Sequence, residues 1–113
     1  MNVLKLKTLD CTLRDGGYYN NWDFESNVVS EYLASVAEAG LEFVELGLRQ
    51  FNNVKYLGAH AYTTREYLKR LDLPSGPTYG VMIDAKTVLS REVSQEDCIN
   101  QLFLDAKDEK VSL

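Results

Sequence analysis

The chain has 113 residues, a formal net charge of -5, 45% hydrophobic residues and 26% charged residues, which leaves room for one domain, 1–113, with one modest core. The acidic balance and the scatter of its 12 basic residues exclude a nucleic-acid partner, which needs clustered Lys and Arg against phosphates. No apolar run approaches the roughly 18 residues of a membrane span, and the first nine residues lack the apolar core of a signal peptide, so no membrane partner and a cytoplasmic location are expected. The two cysteines, Cys11 and Cys98, then read as reduced, unpaired thiols.

From Val3 to Asp10, Leu4, Leu6 and Leu9 alternate with Lys5 and Lys7, which predicts a strand centred on residues 6–10. A polar stretch from Asp10 to Trp22 follows. In it Arg14 and Asp15 stand side by side before Gly16 and Gly17, and the glycines are expected to turn the backbone sharply and hold both side chains near one point. In α/β folds the segment after a strand's C-terminal end is where ligands bind. Arg forks onto carboxylate or enolate oxygens, and Asp is a hard oxygen ligand for Mg, Mn or Zn. The same pair also reads as a turn with a surface ion pair. Cys11 reads as a nucleophile or as a small buried hydrophobe.

Asp23 or Ser26 is expected to cap the next helix. Val28, Val29, Tyr32, Leu33, Val36 and Ala37 recur three and four apart as its apolar stripe, and Gly40 ends it. Residues 43–47 form a short apolar run, predicted as a strand covered on both faces, so strand, helix and strand make a parallel βαβ unit. Glu45 interrupts that run. A carboxylate there needs a cation, so it either faces Arg14 and a metal held by Asp15, or only orients Arg14 or ends in solvent.

Residues 49–62 read as an irregular link with His60 as a solvated side chain. Thr63 and Glu66 have the spacing of a capping box for a short helix closed by Pro74. Residues 78–84 predict a third buried strand ending at Asp84. Ser94 caps a helix with Ile99, Leu102 and Phe103 as its stripe, and residues 110–113 look like the opening of a fourth strand. Strand ends near 10, 47 and 83 and a start near 111 give the rhythm of the first part of a (β/α)8 barrel, which needs roughly 250 residues when whole.

Leu9 to Gly17, followed by Ala39 to Gly47, resembles the start of the DRE-TIM metallolyases, the superfamily that includes 4-hydroxy-2-oxovalerate aldolase, hydroxymethylglutaryl-CoA lyase and isopropylmalate synthase. The resemblance covers nearly the whole chain and is nearest the aldolase-like branch. It implies an α/β fold, a partial TIM barrel of three strands and three helices with the start of a fourth strand, and carbon-carbon bond chemistry on a small 2-oxo acid with a divalent metal (Mn, Mg or Zn). Arg14 falls on the family arginine that stabilises the enolate, Asp15 on the metal-ligand aspartate, and Glu45 on an acidic residue that supports them. Tyr18 falls where the hydroxyoxovalerate aldolases carry a base histidine, and a phenol is a poorer base at neutral pH. The family's remaining ligands, a His-x-His pair on a late strand, do not occur in this sequence, so the chain by itself is expected to be inactive.

Unpaired outer strands predict a homo-oligomer or an edge-paired dimer. A second reading, from a different class, is a non-catalytic module that binds a sugar or peptide on Tyr18, Tyr19, Asn20, Asn21 and Trp22.

Overall fold

β1 (Leu9–Asp10), β2 (Phe43–Leu48) and β3 (Thr78–Met82) form one parallel sheet in the order β1-β2-β3, among the residues that this computed structural model describes: 5–51, 55–89, 92–103 and 110–112. β1 is shorter than its alternation suggests. Just before Leu9, the Thr8 carbonyl accepts from the Phe43 amide of β2 at 3.0 Å, but Leu6 is exposed; Val3 and Leu4 lie outside the described residues.

Between β1 and the first long helix the chain makes one helical turn, α1 (Thr12–Asp15), and a 3-10 turn over Gly16–Tyr19. The long helix, α2 (Ser26–Glu38), buries Val29, Leu33 and Val36. Val28 is exposed, so the apolar face is narrower than the six-residue stripe. Neither Asp23 nor Ser26 caps it: Glu25 holds the cap position, and no side chain bonds the free amides there. The C-terminus is a full Schellman turn, with Gly40 at φ +76°, its amide on Ala37 O (3.1 Å) and the Leu41 amide on Val36 O (3.2 Å). A left-handed residue is needed there, and only glycine takes that conformation without a Cβ penalty.

Val29, Leu33 and Val36 pack with Val44 and Leu46 of β2, Tyr79 of β3, Leu13 of α1 and Leu68 of the next helix, α3 (Arg65–Arg70). β2 is thus fully covered on one face only. Phe43 and Glu45, on the other, stay half-buried, a correction to the strand expected to be covered on both.

The cap of α3 lies one residue later than the spacing suggests. Thr64 accepts from the Tyr67 amide (3.2 Å), while Thr63 is fully buried with φ +38°, donating its hydroxyl to Leu48 O (2.6 Å). Few β-branched residues adopt a positive φ, and three contacts hold this one, the others being its amide on Ala59 O (2.8 Å) and Arg49 Nη2 on its carbonyl (2.6 Å). Thr64→Ala is expected to lower stability by about 1 kcal/mol, the usual worth of a cap, as a shift in urea midpoint with unchanged slope.

His60 is not solvated. It lies in a 3-10 turn, Ala59–Ala61, almost wholly buried against the end of β2. Its Nδ1 faces Leu46 O at 2.6 Å and its Nε2 faces the Tyr67 hydroxyl at 2.8 Å. A carbonyl can only accept, so Nδ1 carries the proton and Nε2 of the neutral ring accepts from Tyr67. Burial lowers the imidazole pKa below its ordinary 6.5, against the opposing effect of the Leu46 carbonyl. The unfolded chain therefore binds this proton first as pH falls, and stability present above pH 6.5 is lost progressively below it. Since His60 is the single histidine, urea midpoints at about pH 7.5 and about pH 5.5 isolate its contribution, and a His60→Gln variant is expected to show a flatter profile.

β3 is followed by a helix that its sequence did not announce, α4 (Ala85–Leu89), and then by α5 (Gln95–Leu102), capped by Ser94 accepting from the Asp97 amide at 3.1 Å. The buried residue of α5 is Cys98 and not Ile99, which is exposed, because α5 lies on α4 and Cys98 Sγ faces Val88 O at 3.8 Å. Near the end, the Ser112 amide donates to Tyr79 O (2.9 Å), and Val111 packs on the core. Residues 110–112 thus run beside β3 without a ladder of their own, and Leu113 lies outside the described residues. No helix among the described residues is long and apolar enough to cross a membrane.

Candidate active site

Asp10, at the end of β1, starts the site. Its Oδ1 accepts from the Thr12 amide (3.0 Å) and from the Tyr32 hydroxyl of α2, which folds the chain into α1 and ties that turn to the helix layer. Partial burial pushes the Asp10 carboxyl upward, but the bonds from Tyr32 and Thr12 outweigh it and hold its pKa below the usual value. Burial, and then the Asp10 charge, push the Tyr32 hydroxyl up, so it remains a neutral donor.

Leu13 points into the core, which leaves the next residues of α1 at the mouth of the sheet. Arg14 Nε donates to Glu45 Oε2 at 2.9 Å, and an Arg14 Nη1 lies 3.8 Å from Asp15 Oδ1. The Arg14 and Glu45 side chains are 23% and 15% exposed, so theirs is a part-buried, charge-assisted bond. Asp15 is 69% exposed, and a pair that open to solvent contributes little. The bond to Glu45 raises the Arg14 pKa further, which fixes the guanidinium as a permanent cation. Glu45 thereby meets its cation in Arg14.

The glycines act differently from a sharp turn. Gly16 is right-handed helical, φ -65°. A Cβ on Gly17 would sit 1.8 Å from Trp22 Cδ1, so this position is open because an indole lies on it. Trp22 is 8% exposed, and its Nε1–H donates to Arg14 O at 2.8 Å. That burial removes Trp22 from the surface proposed for a sugar or peptide; Tyr18 and Tyr19 are exposed, with the Tyr18 ring edge-on to Trp22 at 4.7 Å. The structure brings Arg14, Asp15 and Glu45 together. No hydrogen bond joins Tyr18 to any of them.

Arg49 was missed by sequence reasoning. It directly follows β2, is almost wholly buried, and donates to Thr63 O (2.6 Å) and Leu102 O (3.4 Å), with its guanidinium 4.9 Å from the Phe103 ring centre. It fastens the ends of β2, the His60 turn and α5 together. A cation directly after an apolar run was the only available signal.

An open depression of about 340 Å3, lined by Leu9, Asp10, Cys11, Thr12, Asp15 and Gly16, borders α1. Asp15 supplies one hard oxygen to it, while an Asp10 oxygen is already committed to Tyr32 and Thr12. No three His, Cys, Asp or Glu residues among those described gather as a metal-binding group. These residues therefore fit a divalent ion as one ligand and do not make its site.

The fold and site define an α/β domain with an arginine-carboxylate pair at the C-terminal mouth of parallel strands. The chain matches no family model and no curated protein. Among solved structures it is similar to the N-terminal domain of a "putative aldolase" from Bacteroides vulgatus, with 37% identity and a TM-score of 0.79 over 95% of this chain and 33% of that one. The chain thus spans about a third of the length of that N-terminal domain. The likeness is to an aldolase-like N-terminal domain and stops short of metal and substrate.

Proposed function

We propose that this chain is the N-terminal part of a DRE-TIM-like aldolase or lyase, a partial TIM barrel that acts with a divalent metal on carbon-carbon bonds of 2-oxo acids through an enolate. The observation that carries this reading is the Arg14–Glu45 bond of 2.9 Å at the mouth of the sheet. Glu45 takes Nε, which leaves the Nη edge of Arg14 for a planar oxyanion. A fixed cation where negative charge develops is the commonest large contribution to such catalysis. Asp15 is assigned as one metal ligand, the others coming from further strands, and the ion would polarise the substrate carbonyl. Tyr18, exposed on the same turn, is assigned to proton transfer. The similarity to an aldolase N-terminal domain supports the reaction class.

The test is pyruvate release from 4-hydroxy-2-oxo acids by the polypeptide that completes the barrel, with Mn or Mg added. Release that survives chelation, or that is unchanged in Asp15→Asn, would remove the metal from the proposal.

By itself the chain is expected to pair with a second copy along the outer edge of β1, which has no partner strand among the described residues and carries the exposed Leu9. Size-exclusion chromatography that returns a monomer at high concentration would refute this.

A further inference from the structure

Arg14 is held at both ends by one strand. Its guanidinium reaches Glu45 of β2 directly (2.9 Å). Its main-chain carbonyl accepts from the Trp22 indole (2.8 Å). The Trp22 backbone is in turn bound to the turn that carries His60: the Gly58 amide donates to Asn21 O (2.7 Å) and the His60 amide to Trp22 O (3.3 Å). His60 returns to β2 through Leu46 O (2.6 Å). The path is closed, from β2 through Glu45, Arg14, Trp22 and His60 back to β2.

Several features of this ring accommodate Trp22, both its indole and its backbone. Asn21 and Trp22 both have left-handed backbone, φ 58° and 56°, a costly conformation for an aromatic residue. Gly17 is bare beneath the ring, where a Cβ would lie 1.8 Å from Cδ1, and Gly58 is bare beneath the Trp22 carbonyl, where a Cβ would lie 2.3 Å from the oxygen. Trp22 also packs with Leu48 and Ala61 in a second hydrophobic cluster; its N–H on the Arg14 carbonyl is the one contact of the ring that apolar packing does not require.

We infer that Trp22 is a positioning residue, which fixes the main chain of α1 so that the Arg14 guanidinium keeps one orientation against Glu45. The role follows from the contacts alone; its catalytic consequence rests on the enolate reading above. Trp22→Phe keeps an aromatic ring at the site and removes the donor, together with part of the buried ring.

The readout is the Arg14 Nε–H signal in a 15N spectrum of the chain. In the wild type it is expected to be ordered, with a heteronuclear NOE like that of the backbone. In Trp22→Phe it is expected to lose that order and its proton to exchange roughly fivefold faster, the usual worth of one hydrogen bond, while the Glu45→Gln variant keeps the indole signal sharp. An Arg14 signal as ordered in folded Trp22→Phe as in the wild type would overturn the inference. Should Trp22→Phe fail to fold, the wild type decides. With added urea, the indole N–H and Arg14 Nε–H signals must lose protection together, and an Arg14 proton that opens well before the indole overturns it equally. Oxalate, a planar stand-in for the enolate of a 2-oxo acid, separates the two readings. If it leaves the wild-type Arg14 signal unmoved in the completed, metal-loaded protein, the enolate reading fails while the positioning role, read without ligand, is unaffected.

Discussion

A Gly47→Ala variant is expected to lose roughly 3 to 5 kcal/mol of stability, the sum of overpacking and a strained backbone conformation. Gly47 lies in β2 at φ +150°, where side chains are disfavoured. An added Cβ would stand 2.1 Å from His60 O and 3.0 Å from Thr63 Cγ2. The register between β2 and β3 shifts between Glu45 and Leu48, so the strand bulges where the turn crosses it. The carbonyl in the way is main chain and cannot rotate aside. It belongs to a turn fixed by His60 on Leu46 and by Thr63 on Leu48. Such a loss is a large share of the stability of a domain this size. Urea unfolding measures it, and an unchanged midpoint would mean that turn and strand do not approach so closely.

The second large effect is on activity. In the enzyme proposed above, Arg14→Ala is expected to reduce kcat/KM by about 10^2 to 10^3, the range found when a preorganised oxyanion donor is removed. Arg14→Lys is expected to recover little of it, because an ammonium cannot bond Glu45 through Nε while also presenting a fork to substrate. Glu45→Gln keeps an acceptor for Nε but removes the charge, and is expected to lose about tenfold, in line with a weaker neutral bond. The ordering of the three variants is as informative as the magnitudes. If Glu45→Gln were as damaging as Arg14→Ala, the carboxylate would itself take part in the chemistry.

The strands, the main helix and the pairing of Glu45 with Arg14 were legible because each leaves a local mark. The 3.6-residue recurrence of Val29, Leu33 and Val36, Gly40 at the helix end and a carboxylate inside an apolar run all state their surroundings. The residues that were misjudged owe their roles to contacts distant in sequence. His60 is buried because Leu46 and Tyr67 bond both its nitrogens, and nothing near it in the chain reveals that. Thr63 has the capping-box spacing to Glu66, yet the cap falls to Thr64 because Leu48 takes the Thr63 hydroxyl. Trp22 looks like part of a polar surface until Gly17 is seen to lie beneath it. The two glycines were read as freedom to bend; Gly17 in fact supplies room.

Trp22 is also the only tryptophan of the chain, and it rests against the carbonyl of the very residue whose orientation matters. Its fluorescence therefore reports from one place. Emission should be blue-shifted and fed by energy transfer from the edge-on Tyr18 ring, and any rearrangement at Arg14 should register as a change in colour or lifetime without an attached dye.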